Sequence, residues 1–152
     1  MDFEKTIDVL NNLVEINNDR IEGYDKATNE TEEQDLKSMF MQFALTSENC
    51  RAELSSEIIR LGSIPTEGTK VSGNFFRVWM DVKAALVGHN RKIILDSCDF
   101  GEDNAVSTYE DVLNNDLEYL TPEQVTMISA QFELIKANHQ EIKTMRDAAA
   151  KM

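Results

Sequence analysis

The chain has 152 residues, of which 41% are hydrophobic and 28% charged, and it carries a formal net charge of −13. This length predicts one domain, residues 1–152, around one core. The acidic balance disfavours nucleic acid and anionic membrane surfaces as partners, because both attract cationic proteins. No apolar run reaches the roughly 18 residues of a membrane-spanning helix, and no secretory signal is visible, so we expect a cytoplasmic protein.

Hydrophobic periodicity predicts long helices from the start of the chain, and no competing strand pattern is present. The first helix is predicted over residues 2–28 and the second over residues 32–61, with Thr31 as the cap of the second. Gly62 and Pro65 follow the second helix and form a stop signal, because glycine favours the position after a helix and proline cannot continue it.

The middle of the chain predicts a long connection with a short helix in it. Residues 62–73 contain three glycines and one proline and are expected to form a loop. Asn74 can cap a short helix over residues 74–87, which carries Trp79 beside two phenylalanines. A connection of about 28 residues is too long for a hairpin between neighbouring helices.

Two further long helices complete the pattern. The third is predicted from Asn90 to about Asn114. The fourth begins with the clearest signal in the chain, because Thr121 and Gln124 are spaced as a capping box with proline between them. It should extend to about Ala150. Helices of about 24–30 residues, or roughly 36–45 Å, favour a four-helix bundle over a pile of shorter helices.

Several short segments resemble one known family. They are the stretch from Asn17 to Ala27, the segment Arg60-Leu61-Gly62-Ser63-Ile64-Pro65, Trp79 in its short helix, Gly101-Glu102-Asp103, and Tyr109. Together they resemble a ferritin-like bacterial family of four-helix proteins that is named only as a domain of unknown function. The resemblance implies a crossover over residues 62–89, so that the second and third helices run parallel. Other proteins of this fold store iron or act as rubrerythrin-like peroxidases, but a shared fold does not transfer those activities.

Polar residues interrupt each apolar stripe near its middle, where a hydrophobic residue would be expected. With the implied crossover, they would lie within a turn or two of one level of the bundle. They form the predicted buried polar centre: Asn17, Ser47, Cys50, Glu102 and His139.

Di-iron bundles build their metal site at this level, from two glutamates and two Glu-x-x-His motifs. Only Glu102 and His139 fit that pattern here. Asn17 and Lys136 stand where carboxylates would be needed, so we interpret the pattern as a degraded di-iron site. Two explanations remain open: a buried hydrogen-bond network in which Glu102 accepts from His139, or a single iron or zinc ion bound by these two residues with a cysteine.

The two cysteines lie far apart and in no metal-binding or redox motif. We therefore expect Cys50 and Cys98 to be free, buried thiols. Two function hypotheses follow for the whole chain. The first is a non-enzymatic bundle, a homodimer with a structural, scaffolding or stress-associated role. The second is a metal-binding protein with weak redox activity that depends on Glu102 and His139.

Overall fold

Four long helices account for most of the part of the chain that the structure, a computed structural model, describes: residues 3–69, 83–86, 88 and 90–150. They are α1 (Phe3–Glu30), α2 (Gln34–Arg60), α3 (Arg91–Asn115) and α4 (Pro122–Ala150), with a 3₁₀ turn at Leu117–Tyr119 before α4. No strand occurs within those ranges. The predicted all-α bundle class is confirmed.

Local signals in the sequence set several helix ends. Gln124 and Thr121 form the predicted capping box, with the Gln124 amide donating to Thr121 Oγ1 at 3.1 Å and the Thr121 amide to Gln124 Oε1 at 2.9 Å. Asn90 accepts from the Ile93 amide at 3.1 Å and caps α3. Gly62 adopts a φ of 88° after α2, which glycine allows without the steric cost that a side chain would bring.

One predicted cap is wrong. Glu33, not Thr31, is the cap residue of α2, and its side chain makes no capping hydrogen bond. The Thr31 hydroxyl instead accepts from the Glu33 amide at 3.2 Å, so it orders the turn that precedes the helix.

Contacts between the helices establish the topology. α1 and α2 are joined by a short turn and run antiparallel, as do α3 and α4. The Arg91 guanidinium at the start of α3 reaches Asp35 Oδ2 at 2.6 Å at the start of α2, so α2 and α3 run parallel as expected. Part of the connection follows α1, because Asn18 Nδ2 donates to the Gly68 carbonyl at 2.9 Å.

The predicted short helix is described only in part. Residues 83–86 are helical, and Ala85 and Leu86 are buried against the bundle. Lys83 Nζ lies 3.8 Å from a carboxylate oxygen of Glu30 at the end of α1. The prediction for Trp79 lies outside the described residues.

The core divides into two apolar clusters along the bundle axis. One cluster is centred on Leu13, Leu54 and Val112, and the other on Phe40 and Leu95. Polar side chains occupy the level between them, which we call the central polar layer: Asn17, Arg20, Ser47 and Glu102, extended by Gln131. Within the described residues, no helix is both long and apolar enough to cross a bilayer.

Candidate functional site: a central polar layer and a flanking cluster

Arg20 is the centre of the polar layer. It lies seven residues from both Leu13 and Ala27, so the helical repeat directs it to the same inward face as those apolar side chains. Its guanidinium is almost fully buried, with 1% of the side chain exposed. Nε and Nη2 donate to Glu102 Oε1 at 3.1 and 2.9 Å, and Nη1 donates to Ser47 Oγ at 2.5 Å.

Glu102 collects these donors on one oxygen. The Tyr24 hydroxyl also donates to Oε1, so this oxygen accepts from three donor groups of α1: Arg20 Nε, Arg20 Nη2 and the Tyr24 hydroxyl. The second oxygen, Oε2, is buried and has no hydrogen-bond partner among the described residues. The carboxylate therefore joins α3 to α1, and through Ser47 it is linked to α2 as well.

Burial and charge act in opposite directions on this pair. Burial is the largest single influence on Arg20 and by itself lowers its pKa, but the charge and hydrogen bonds of Glu102, together with the neighbouring Tyr24 and Cys50, outweigh it and hold the pKa above its ordinary value. For Tyr24, burial and then the charge of Glu102 both raise the pKa well above the usual range. The layer thus contains a permanent cation and a hydroxyl that keeps its proton as a donor.

A second, uncharged network lies beside the ion pair. Asn17 Nδ2 donates to the Tyr109 hydroxyl at 2.9 Å, and that hydroxyl donates to Gln131 Oε1 at 2.7 Å. Gln131 Nε2 continues to Glu53 Oε1 at 3.2 Å. Asn17 Oδ1 is buried without a partner among the described residues. This chain of bonds connects all four helices.

The two cysteines are free and buried, as the sequence predicts. Burial raises the pKa of the Cys50 thiol to about 11. Burial, reinforced by the charges of Glu102 and Asp99, also raises the pKa of Cys98. Because the thiolate is the reactive form, neither residue is activated for redox or nucleophilic chemistry at neutral pH.

A separate group of ionisable side chains lies between α3 and α4, at the edge of the bundle. His139 Nε2 lies 2.6 Å from Asp99 Oδ1 and 3.3 Å from Asp103 Oδ1. Arg146 Nη1 lies 2.5 Å from the other oxygen of Asp99. The imidazole is 9% exposed and the Asp103 side chain 62%, so the group opens to solvent on one side. We call Asp99, Asp103 and His139 the flanking cluster.

The structure separates two residues that the sequence prediction combines. All five members of the predicted polar centre are buried. However, Glu102 accepts from Arg20 and Tyr24, whereas His139 contacts Asp99 and Asp103. The predicted hydrogen bond from His139 to Glu102 is therefore replaced by these two separate sets of contacts. Metal binding by Glu102 together with His139 stays a prediction.

Comparison with known proteins gives one family. Residues 5–115 match the family described as domain of unknown function DUF2383. The chain belongs to this family. The DUF2383 match covers α2, α3 and all but the first two residues of α1, and therefore includes Arg20, Ser47 and Glu102. The last helix, α4, with His139, lies beyond it. No curated protein matches the chain.

Sequence reasoning missed the charged partners of the predicted residues. Arg20 could have been found from its seven-residue spacing to Leu13 and Ala27, which places it inside the bundle. Asp99 and Asp103 are four residues apart on one helix and thus share a face. Their approach to α4 has no local signal, because it depends on the register between two helices.

Proposed function

We propose that this protein is a non-enzymatic, ferritin-like bundle in which a buried ion pair occupies the level where di-iron proteins of this fold hold metal. The observation that carries the proposal is the Arg20 guanidinium, which donates twice to Glu102 Oε1 inside the central polar layer. A fixed organic cation thus neutralises the one glutamate that the layer contains.

The donor set of the layer supports a role without metal chemistry. A di-iron centre needs several carboxylates from all four helices. Here the corresponding level contributes a single carboxylate, from Glu102. Its other polar groups are a guanidinium, hydroxyls and amides: Arg20, Ser47, Tyr24, Asn17 and Gln131. A metal ion placed against Glu102 would lie close to a buried positive charge, and the repulsion would be weakly screened there.

The role that follows is structural. Hydrogen bonds of the layer connect α1, α2 and α3 around Glu102, and the uncharged network adds α4 through Gln131. We infer a cytoplasmic homodimer with a structural or stress-associated role that acts through its outer surface. The dimer rests on the ferritin-like resemblance, and a monodisperse monomer by light scattering at high protein concentration would contradict it.

Iron chemistry provides the decisive test. Ferrous iron is added anaerobically to protein purified without chelator, the bound iron per chain is measured, and air is then admitted while oxidation is followed by absorbance. We expect the iron to be oxidised no faster than in a control solution that contains a protein without iron sites. Glu102→Gln should not change this rate.

The competing hypothesis, metal binding with weak redox activity at Glu102 and His139, predicts a different pattern. Bound iron or catalysed oxidation that disappears in Glu102→Gln, but persists when the exposed Asp103 is changed to Asn, would overturn the proposal. Both variants remove one carboxylate from α3, so they differ in location and not in overall charge.

A further inference from the structure

We propose that the flanking cluster binds one divalent transition-metal ion, through Asp99, Asp103 and His139, on the side of the α3–α4 pair. One ligand atom from each residue lies within 4.8 Å of the others. The two aspartates are one helical turn apart on α3, and His139 approaches both from α4. This site is independent of the proposed function, because none of its ligands belongs to the central polar layer.

The histidine distinguishes this arrangement from an ordinary acidic surface patch. Its imidazole is nearly buried between two helices, and Nε2 faces both carboxylates at 2.6 and 3.3 Å. An imidazole nitrogen and two carboxylate oxygens form a mixed donor set on two rigid elements. Such a set is selective for transition ions over Mg²⁺ and Ca²⁺, which prefer oxygen ligands alone.

Arg146 supports the orientation of one ligand. Its Nη1 holds Asp99 Oδ2 at 2.5 Å, which leaves Oδ1 directed at His139. Carboxylates that bind metals are commonly fixed by an outer hydrogen bond of this kind. The guanidinium contacts the oxygen on the far side of the carboxylate from the proposed ion.

The local charge favours a cation despite Arg146. That guanidinium also lies 4.0 Å from Asp96 and 3.7 Å from Asp147, so three carboxylates share its charge. Asp103 adds a further negative charge on the open side of the cluster. The formal net charge of −13 makes the surroundings of the site attractive to divalent ions in general.

The number of ligands in the cluster is that of a metal site with one position left open to water. Three protein ligands leave a fourth position to water in a tetrahedral ion such as Zn²⁺ or Co²⁺. Ligand distances of about 2.0–2.2 Å are normal for such ions and place tetrahedral ligand atoms roughly 3.3–3.6 Å apart. The 3.3 Å between His139 Nε2 and Asp103 Oδ1 already fits this spacing. The 2.6 Å hydrogen bond between His139 and Asp99 has to open by roughly 0.7 Å as the ion replaces it.

Cobalt titration tests the site directly, because tetrahedral Co²⁺ absorbs in the visible region. Co²⁺ is added to the full chain at physiological ionic strength, and binding is followed by visible absorbance and by calorimetry. We expect one ion per chain, displaced by Zn²⁺. Asp103→Asn and His139→Ala should each weaken binding by at least about tenfold, the loss that even outer-shell changes bring.

Asp111→Asn is the matched control, because it removes an exposed carboxylate from the same helix away from the cluster. It should leave cobalt binding unchanged. If His139→Ala fails to fold, Asp103→Asn still tests the site, because the Asp103 side chain is largely exposed and its substitution should not disturb folding. Absence of stoichiometric binding by the unaltered chain, or equal binding by Asp103→Asn, would overturn the site. A loss confined to Glu102→Gln would refute this site and also the proposed function.

Discussion

The central polar layer and the flanking cluster each combine carboxylates with a cationic or basic side chain, yet they differ in access to solvent. Arg20 and Glu102 are each 1% exposed, whereas Asp103 is 62% exposed. Ions from solution can reach the cluster, but an ion would have to displace a guanidinium to reach the layer. The same chemical groups therefore stabilise the fold in one place and remain available for a ligand in the other.

Desolvation explains why this difference matters. Buried charges cost several kcal/mol each unless a partner compensates them, so losing one partner inside the layer is costly. Exposed ion pairs contribute little, because water and salt already screen both charges. Substitutions in the two regions should consequently differ in their effects on the free energy of unfolding.

The largest effect is expected for Arg20→Met. It leaves the Glu102 carboxylate buried without its cation, and it should lower the free energy of unfolding by about 3–5 kcal/mol, measured by urea denaturation. Lys26→Met is the control on the same helix, because its exposed amine makes a surface i,i+4 pair with Glu22. We expect Lys26→Met to change the free energy of unfolding by less than about 0.5 kcal/mol.

The double variant Arg20→Met/Glu102→Leu sharpens this prediction. Removing both charges removes the desolvation penalty along with the pair, so the double variant should be more stable than Arg20→Met alone. If Arg20→Met costs no more than Lys26→Met, the layer does not behave as a sealed ion pair.

Alkaline pH should weaken the fold next most strongly. Burial raises the pKa of Cys50 from 9.0 to about 11, so the folded state keeps a proton that the unfolded state releases. This contribution is complete below pH 9 and is lost as pH rises to 11, which amounts to about 2–3 kcal/mol. The raised pKa values of Tyr24 and Tyr109 act in the same direction at higher pH.

Unfolding experiments at pH 7, 9 and 10.5 measure this loss, and Cys50→Ala is the comparison. The variant should lose less stability over the same range, because one of the buried acids is absent. An identical pH profile for both proteins would mean that Cys50 does not contribute.

The uncharged network should contribute less to the free energy of unfolding than the ion pair does. Tyr109→Phe removes the hydroxyl between Asn17 and Gln131 and leaves both amides short of a partner. We expect a loss of about 1–3 kcal/mol by thermal or urea unfolding. Tyr119→Phe, at a half-buried tyrosine near the end of the bundle, should change stability by less than about 0.5 kcal/mol.

The smallest effect should come from an ion pair at the bundle end. A hydrogen bond from Arg91 lowers the pKa of Asp35, whose side chain is 58% exposed. Asp35→Asn should therefore cost only about 0.2–1 kcal/mol at pH 7. The depressed pKa stabilises the fold above pH 4, and this contribution is lost as the pH falls further. Unfolding measured at pH 7 and at pH 3 should show that the difference in free energy of unfolding between the unaltered protein and Asp35→Asn is smaller at pH 3.

The helices were predictable because their signals are local. The Thr121–Gln124 capping box and the glycine after α2 act within a few residues, so the chain can show them without its tertiary structure. The buried positions of Asn17 and Glu102 were also predictable, since helical periodicity assigns them to the inward face. The Thr31 cap failed because several nearby residues could begin the same helix.

The sequence by itself determined that this protein is an all-α bundle with a polar interruption in each apolar stripe, because periodicity and capping depend on neighbouring residues. Only the tertiary structure decided which polar groups meet. Glu102 pairs with Arg20 across 82 positions, and His139 with Asp99 across 40. Such pairings depend on the relative register and rotation of packed helices, and a shift of one residue turns a helical side chain by about 100°.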